Sequence, residues 1–145
     1  MTASIAAYFA FVDALLAAGY PSVVITGATL PTIRDDQDWG DVANLRREIK
    51  TSLRDRTALT FAYNDALARQ ARLRRLPYID ISQGLIDPAT GLIADRFRHP
   101  NPTNHHLDPV TTGPLWADAL NGLGRALERR ALLPVRRLAT APRLF

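Results

Sequence analysis

The run SVVIT, residues 22–26, narrows the choice of fold more than any other stretch of this chain. Three of its five residues are apolar and β-branched, and Pro21 and Gly27 close its two ends. A short apolar run without polar alternation reads as a strand buried on both faces, the pattern of a parallel sheet covered by helices. One later stretch, YIDIS at residues 78–82, reads as a second strand of the same sheet. With the helical segments between and around them, the order is helix, strand, helix, strand, loop, helix. Such alternation argues for an α/β layer fold with parallel strands. Two strands are fewer than most sheets contain. A neighbour expected beside SVVIT is therefore absent from this chain, and that strand is expected to leave an unpaired edge.

Residues 4–18 read as the first helix, with Tyr8, Val12, Leu15 and Leu16 at helical spacing and Gly19 as a stop. A long helical region follows SVVIT. Val42, Leu45, Ile49 and Leu53 form one apolar stripe, and Leu59, Ala62, Tyr63, Ala66 and Leu73 form another, with a break expected near Asp55-Arg56-Thr57. DPATG, residues 87–91, is a turn by composition. The last helix is expected to start at a Thr112 cap, with Pro114 in its first turn and Pro134 at its end. Trp116, Leu120, Leu123 and Leu127 lie on one face of it and read as core, not as a cofactor box. No repeat or low-complexity tract is present.

At 145 residues the chain suits one domain. Its 47% apolar and 22% charged content is that of a soluble globular protein. The absence of cysteine excludes disulfides, thiol catalysis and zinc–thiolate sites. The net charge of +4 is accounted for by Arg130, Arg136, Arg137 and Arg143. Residues 1–129 are thus expected to form a formally neutral domain, and residues 130–145 a basic, flexible tail. No nucleic-acid motif accompanies that charge. Asp13 is the only charged residue before Ile33, and on an apolar helix it can cap, pair with an arginine or face solvent. The N-terminal stretch lacks the early positive charge of a signal peptide, and Gly19-Tyr20-Pro21 breaks it too early for a membrane span. The composition indicates no particular compartment.

The three histidines are concentrated in one loop. His99 lies just before NPTNHHLDP, residues 101–109, which contains His105 and His106. In an open α/β sheet, active sites lie beyond the carboxyl ends of the strands, and this loop follows YIDIS. A histidine there can accept a proton from a hydroxyl nucleophile and return it to a leaving group. It needs a serine or similar residue, an orienting partner and oxyanion donors. Two other readings compete: an ordinary polar loop, and a metal site built from His99, His105, His106 and Asp108. No H-E-x-x-H motif supports the metal reading, and neither metal nor cofactor is expected.

Four stretches, taken in order, add a resemblance. VVITGATLP is similar to a strand and proline-containing loop, YNDALARQARLRRLPYIDIS to a helix leading into a strand ending in Ile-Asp, DPATGLIADRF to a turn, and NHHLDPVTTGPLWADAL to a final His-Leu block before a helix. Together, over residues 5–125, they resemble the C-terminal part of an SGNH (GDSL-type) hydrolase domain. The resemblance implies a partial three-layer α/β/α, flavodoxin-like domain with a short parallel sheet. It also implies hydrolysis of ester or acyl groups by a serine–histidine mechanism, on a small-molecule, carbohydrate or lipid ester.

The base that the resemblance implies is His106, directly before Leu107; His105 would shape the loop. The family's orienting aspartate stands three residues before the base, where this chain has Thr103; Asn104 and Asp108 are near but not at that position. The family's Gly-Asp-Ser nucleophile and its oxyanion glycine and asparagine have no counterpart here. Of Ser4, Ser22, Ser52 and Ser82, only Ser82 precedes a Gln-Gly pair, and without the full Gly-x-Ser-x-Gly it reads as a strand-end residue. The implied protein carries a base and lacks a nucleophile. It is a piece of a longer enzyme, or is completed by another polypeptide, or has lost catalysis, and little turnover is expected from the chain alone. The alternative from another class is a non-catalytic binding or assembly module that forms homo-oligomers through the SVVIT edge.

Overall fold

A computed structural model describes residues 1–37 and 51–139. The stripe positions Val42, Leu45 and Ile49 lie outside the described residues. The fold is α/β in the broad sense, a mixture of helices with two small sheets.

Helix α1 spans Thr2–Ala17 and ends where Gly19 adopts a φ of +92°, a conformation that costs glycine nothing. The Gly19 N–H then donates to the Leu16 carbonyl and the Tyr20 N–H to the Leu15 carbonyl, which satisfies two orphan acceptors at the helix end. Strand β1, Ile25–Thr26, pairs in parallel with β2, Tyr78–Ile79, in the register Ile25 to Tyr78. Helix α2, Leu53–Leu73, makes the crossover between them. Its start is fixed by Ser52, whose hydroxyl accepts from the Asp55 N–H at 3.0 Å. The break expected at 55–57 is therefore a cap just upstream, and Asp55, Arg56 and Thr57 are helical.

Beyond β2 the chain forms a 3₁₀ turn at Ser82–Leu85 and an antiparallel hairpin of β3, Ile86–Asp87, and β4, Leu92–Ile93. DPATG is the hairpin turn, with Gly91 at a φ of +71°. A second 3₁₀ turn, Asp95–Phe97, leads into the histidine loop. Helix α3 then runs over Pro109–Ala139.

Two apolar clusters hold these elements together. The first lies between α1, α2 and the parallel pair: Ile5, Phe9 and Val12 meet Ile25, Leu67 and Ala71. The second joins Leu30, Ile81, Leu85, Ile93 and Phe97 to Leu115, Trp116 and Ala119 of α3. Tyr78 packs with the first cluster and Ile81 with the second, as side-chain alternation requires.

Several expectations need correction. SVVIT is not buried on both faces: Ile25 is fully buried, but Val24 and Thr26 are exposed, because β1 has no second neighbour among the described residues. On α1 the buried face is Ile5, Phe9 and Val12, while Leu16 is exposed. On α2 it is Leu53, Thr57, Asn64, Leu67 and Ala71; Leu59, Ala62 and Leu73, expected in the core, face water. Helix α3 starts three residues before Thr112, capped by Asp108, and passes through Pro134 into the segment expected to be a flexible tail. Leu120 and Leu127 are exposed, because past Ala119 nothing described lies beneath that stripe. Among the described residues no helix is long and apolar enough to cross a membrane.

Candidate functional site

The histidine loop is a closed excursion. Arg98 and Leu107 form an antiparallel bridge at its base, and the Asp108 N–H donates to the Phe97 carbonyl at 2.9 Å. Within it, short polar side chains replace the missing ladder. Asn101 Oδ1 accepts from the Thr103 N–H at 3.0 Å and the Thr103 hydroxyl at 2.9 Å, and Asn104 Oδ1 accepts from the His106 N–H at 2.9 Å. The Thr32 hydroxyl, on the loop after β1, donates to the His105 carbonyl and ties the excursion to the carboxyl end of the sheet.

Asp108 closes the loop and opens α3. It accepts from the Val110 N–H at 3.1 Å and the Thr111 hydroxyl at 2.9 Å. Loss of hydration acts to raise its pKa, but the Thr111 hydroxyl, the N–H groups of Val110 and Thr111, and nearby His99 outweigh it and hold it below the ordinary value. The sequence placed the cap at Thr112, whose hydroxyl instead donates back to the Asp108 carbonyl at 2.7 Å.

His105 and His106 are exposed, with ring centroids 4.2 Å apart and planes tilted by 37°. Both line an open groove of about 950 Å³. One wall is the 29–33 segment after β1, another is Arg56, Leu59 and Thr60 of α2, and a third is Thr112, Gly113 and Trp116 of α3. The groove thus lies beyond the carboxyl end of β1, where ligands bind in open α/β sheets.

Among the described residues no side chain hydrogen-bonds the His106 imidazole. Thr103, where the resemblance would expect an orienting aspartate, donates to Asn101; Asn104 holds the His106 backbone, not its ring; Asp108 caps α3. The serines are not brought to it either. Ser52 caps α2 and Ser82 is 1% exposed within a separate network. Among the described residues no group of three histidine, aspartate or glutamate side chains is placed to hold a metal ion. No protein-family model, curated protein or solved structure matches the chain.

That separate network sits where β1 and β2 meet α2, and sequence reading missed it. The Asn64 carboxamide accepts from the Ala28 N–H at 2.7 Å, and its Nδ2 lies 3.0 Å from the Ala28 carbonyl, 3.1 Å from Asp80 Oδ2 and 3.0 Å from Ser82 Oγ. The Ser82 hydroxyl donates to Asp80 Oδ1 at 2.6 Å, and the Ser82 N–H to the same oxygen at 2.8 Å. The Tyr78 hydroxyl donates to Asp80 Oδ2 at 3.0 Å. Burial, followed by the negative charge of Asp80, pushes the Tyr78 phenol well above its ordinary value. The only signal in the sequence is a polar Asn64 set on the line of Leu53, Thr57, Leu67 and Ala71.

Asp13, the lone early charge, pairs with Arg74 at 3.4 Å, and the Arg74 guanidinium lies 4.5 Å from the Phe9 ring centroid. That contact fastens α1 to the end of α2.

Proposed function

We propose that this chain carries the general base of an SGNH-type hydrolase acting on ester or acyl groups, with His106 as that base. The observation that carries the reading is the placement of the His106 imidazole, free of hydrogen bonds to described residues and lining a groove beyond the carboxyl end of β1. An imidazole with an open lone pair can take the proton of a hydroxyl as its oxygen attacks the acyl carbon, then return it to the departing alcohol. The surrounding threonines and the Leu30, Leu59 and Trp116 side chains suit a largely apolar acyl or alkyl group.

The arrangement of α1 and α2 against one side of the parallel pair, with α3 against Ile81 on the other, supports a partial three-layer, flavodoxin-like domain. The nucleophile in this reading comes from outside the described residues. The test is turnover of short-chain nitrophenyl esters, measured on the chain alone and on the product of its reading frame extended upstream of Met1. The chain alone is expected to stay at background. The extended product is expected to turn over ester and to lose about 10²–10⁴-fold in rate with His106→Ala. An extended product that is inactive, or that keeps its rate in His106→Ala, overturns the reading. Turnover by the chain alone, abolished by His106→Ala, would keep the base and overturn the external nucleophile.

A second reading has its own observation. Among the described residues β1 pairs only with β2, and its Thr26, with Val24 just before it, is exposed; Tyr20 and Phe11, earlier in the chain, are about 60% exposed. An unpaired edge without charged residues favours strand addition, so the chain can act as an assembly module. Light scattering decides this: a clean monomer at high concentration argues against it.

A further inference from the structure

Behind the histidine loop, two arginines share one acid. Arg34 Nη2 and Arg98 Nε both donate to Asp95 Oδ1, at 2.8 and 3.0 Å. Within this trio one carboxylate faces two guanidinium groups, and Asp36 adds a second acid to the cavity wall. The three groups are also hydrated unequally: the Asp95 side chain is 75% exposed and that of Arg98 only 14%. The acid is screened by water while the cation is not. Among the described residues Arg98 Nη1 is buried without a hydrogen-bond partner, as is Arg56 Nη1. A buried cationic donor left unpaired is costly; Nη1 itself has almost no accessible surface, so an incoming anion would meet the other nitrogens of the guanidinium groups. Burial, followed by repulsion from Arg34, holds the Arg98 guanidinium below its ordinary range, with Asp95 opposing both.

A cavity of about 280 Å³ adjoins this group, lined among others by Arg34, Arg98, His99 and Asn104, with Asp36 and Asp95 as its acids. His99 Nδ1 accepts from the Asn101 N–H at 3.0 Å. That bond leaves the ring proton on Nε2, which makes Nε2 a donor. Among the described residues the cavity and the His106 groove have only Thr32 and His105 in common.

We propose that this cavity binds a small oxyanion, a carboxylate or phosphate group, through the guanidinium groups of Arg34 and Arg98 and the Nε2–H of His99. The planar, multi-donor guanidinium matches the oxygens of such a group. The site does not depend on His106 being a base.

The test is a titration of the full chain with sodium phosphate, and separately with sodium acetate, against sodium chloride at matched ionic strength. Melting temperature and backbone amide NMR shifts are the readouts. Phosphate is expected to raise the melting temperature saturably and to move the amides of Arg34, Arg98 and His99. Arg34→Gln, at an exposed position, is expected to keep the fold and weaken binding about tenfold or more. A response to phosphate alone assigns a phosphate group; a response to both salts assigns a general oxyanion site. A shift no larger than with chloride, amide changes elsewhere in the chain, or unchanged binding in Arg34→Gln overturns the proposal, whatever becomes of Arg98→Gln.

Discussion

Asn64 and His106 are the centres of two polar clusters built on opposite terms. Asn64 is 2% exposed, and its oxygen and nitrogen are both engaged, by Ala28, Asp80 and Ser82. His106 is exposed, and only its backbone is held, by Asn104. The difference follows from desolvation. A buried amide that lacks partners costs free energy, so the fold satisfies it completely and gains rigidity where the strands end. An exposed imidazole carries no such penalty, so its lone pair can remain open for a proton. The first cluster is closed on itself, and the second leaves an imidazole unengaged by any described side chain, as the proposed base requires.

The largest expected effect is on the satisfied cluster. Asn64→Ala strips the Ala28 N–H of its acceptor and Asp80 and Ser82 of a donor, and should lower stability in urea unfolding by about 3 kcal/mol. A loss below about 0.5 kcal/mol would show that water replaces the amide and that the two clusters differ less than their burial suggests. Gly27→Ala follows. A Cβ at Gly27 would stand 2.6 Å from Asp80 Cγ, so the carboxylate must move out of its bonds to Ser82 and Tyr78. A loss of about 2 kcal/mol is expected in the same measurement.

Tyr78 gives the comparison a pH dependence. Its phenol ionises less readily in the folded chain, owing to burial and the Asp80 charge. The unfolded phenol titrates near 10. A raised folded pKa means that the unfolded state releases its proton first, so the Tyr78 contribution is intact below about pH 10 and is lost as pH rises beyond it. Tyr78→Phe should cost about 1 kcal/mol at pH 7 and flatten the alkaline fall in stability. An alkaline limb of equal slope in Tyr78→Phe would assign the fall to another group.

The two clusters were not equally legible from sequence. The histidine loop stood out because histidine is scarce and its neighbours are turn formers, and its place after β2 followed from strand order. Gly19 as a stop and DPATG as a turn were legible for a similar reason: their chemistry is local. The Asn64 cluster was not, because its partners Ala28 and Asp80 lie 36 and 16 residues away. Hydrophobic periodicity discards a polar residue, so it turned α2 toward Leu59 and Leu73, which face water. The same limit hid the Arg34–Asp95–Arg98 group, assembled from two distant loops. SVVIT was legible as a strand only in its last two residues, Ile25–Thr26, and not in its exposure, because Ser22 to Val24 stand before the pairing with β2 and Val24 has no covering neighbour among the described residues.

The smallest expected effect on stability is the sharpest test of the contrast. His106→Ala removes an exposed ring with no hydrogen bond to any described residue, so unfolding free energy should change by less than about 0.5 kcal/mol. The backbone bond from His106 to Asn104 survives the substitution, and so does the Thr32 tie to His105. The loop should keep its shape, and amide NMR shifts should change only near His105 and the groove. A destabilisation of 1 kcal/mol or more would mean that the ring packs as part of the fold. His106 would then resemble Asn64, a residue kept for structure, and the case for it as a base would rest on turnover alone.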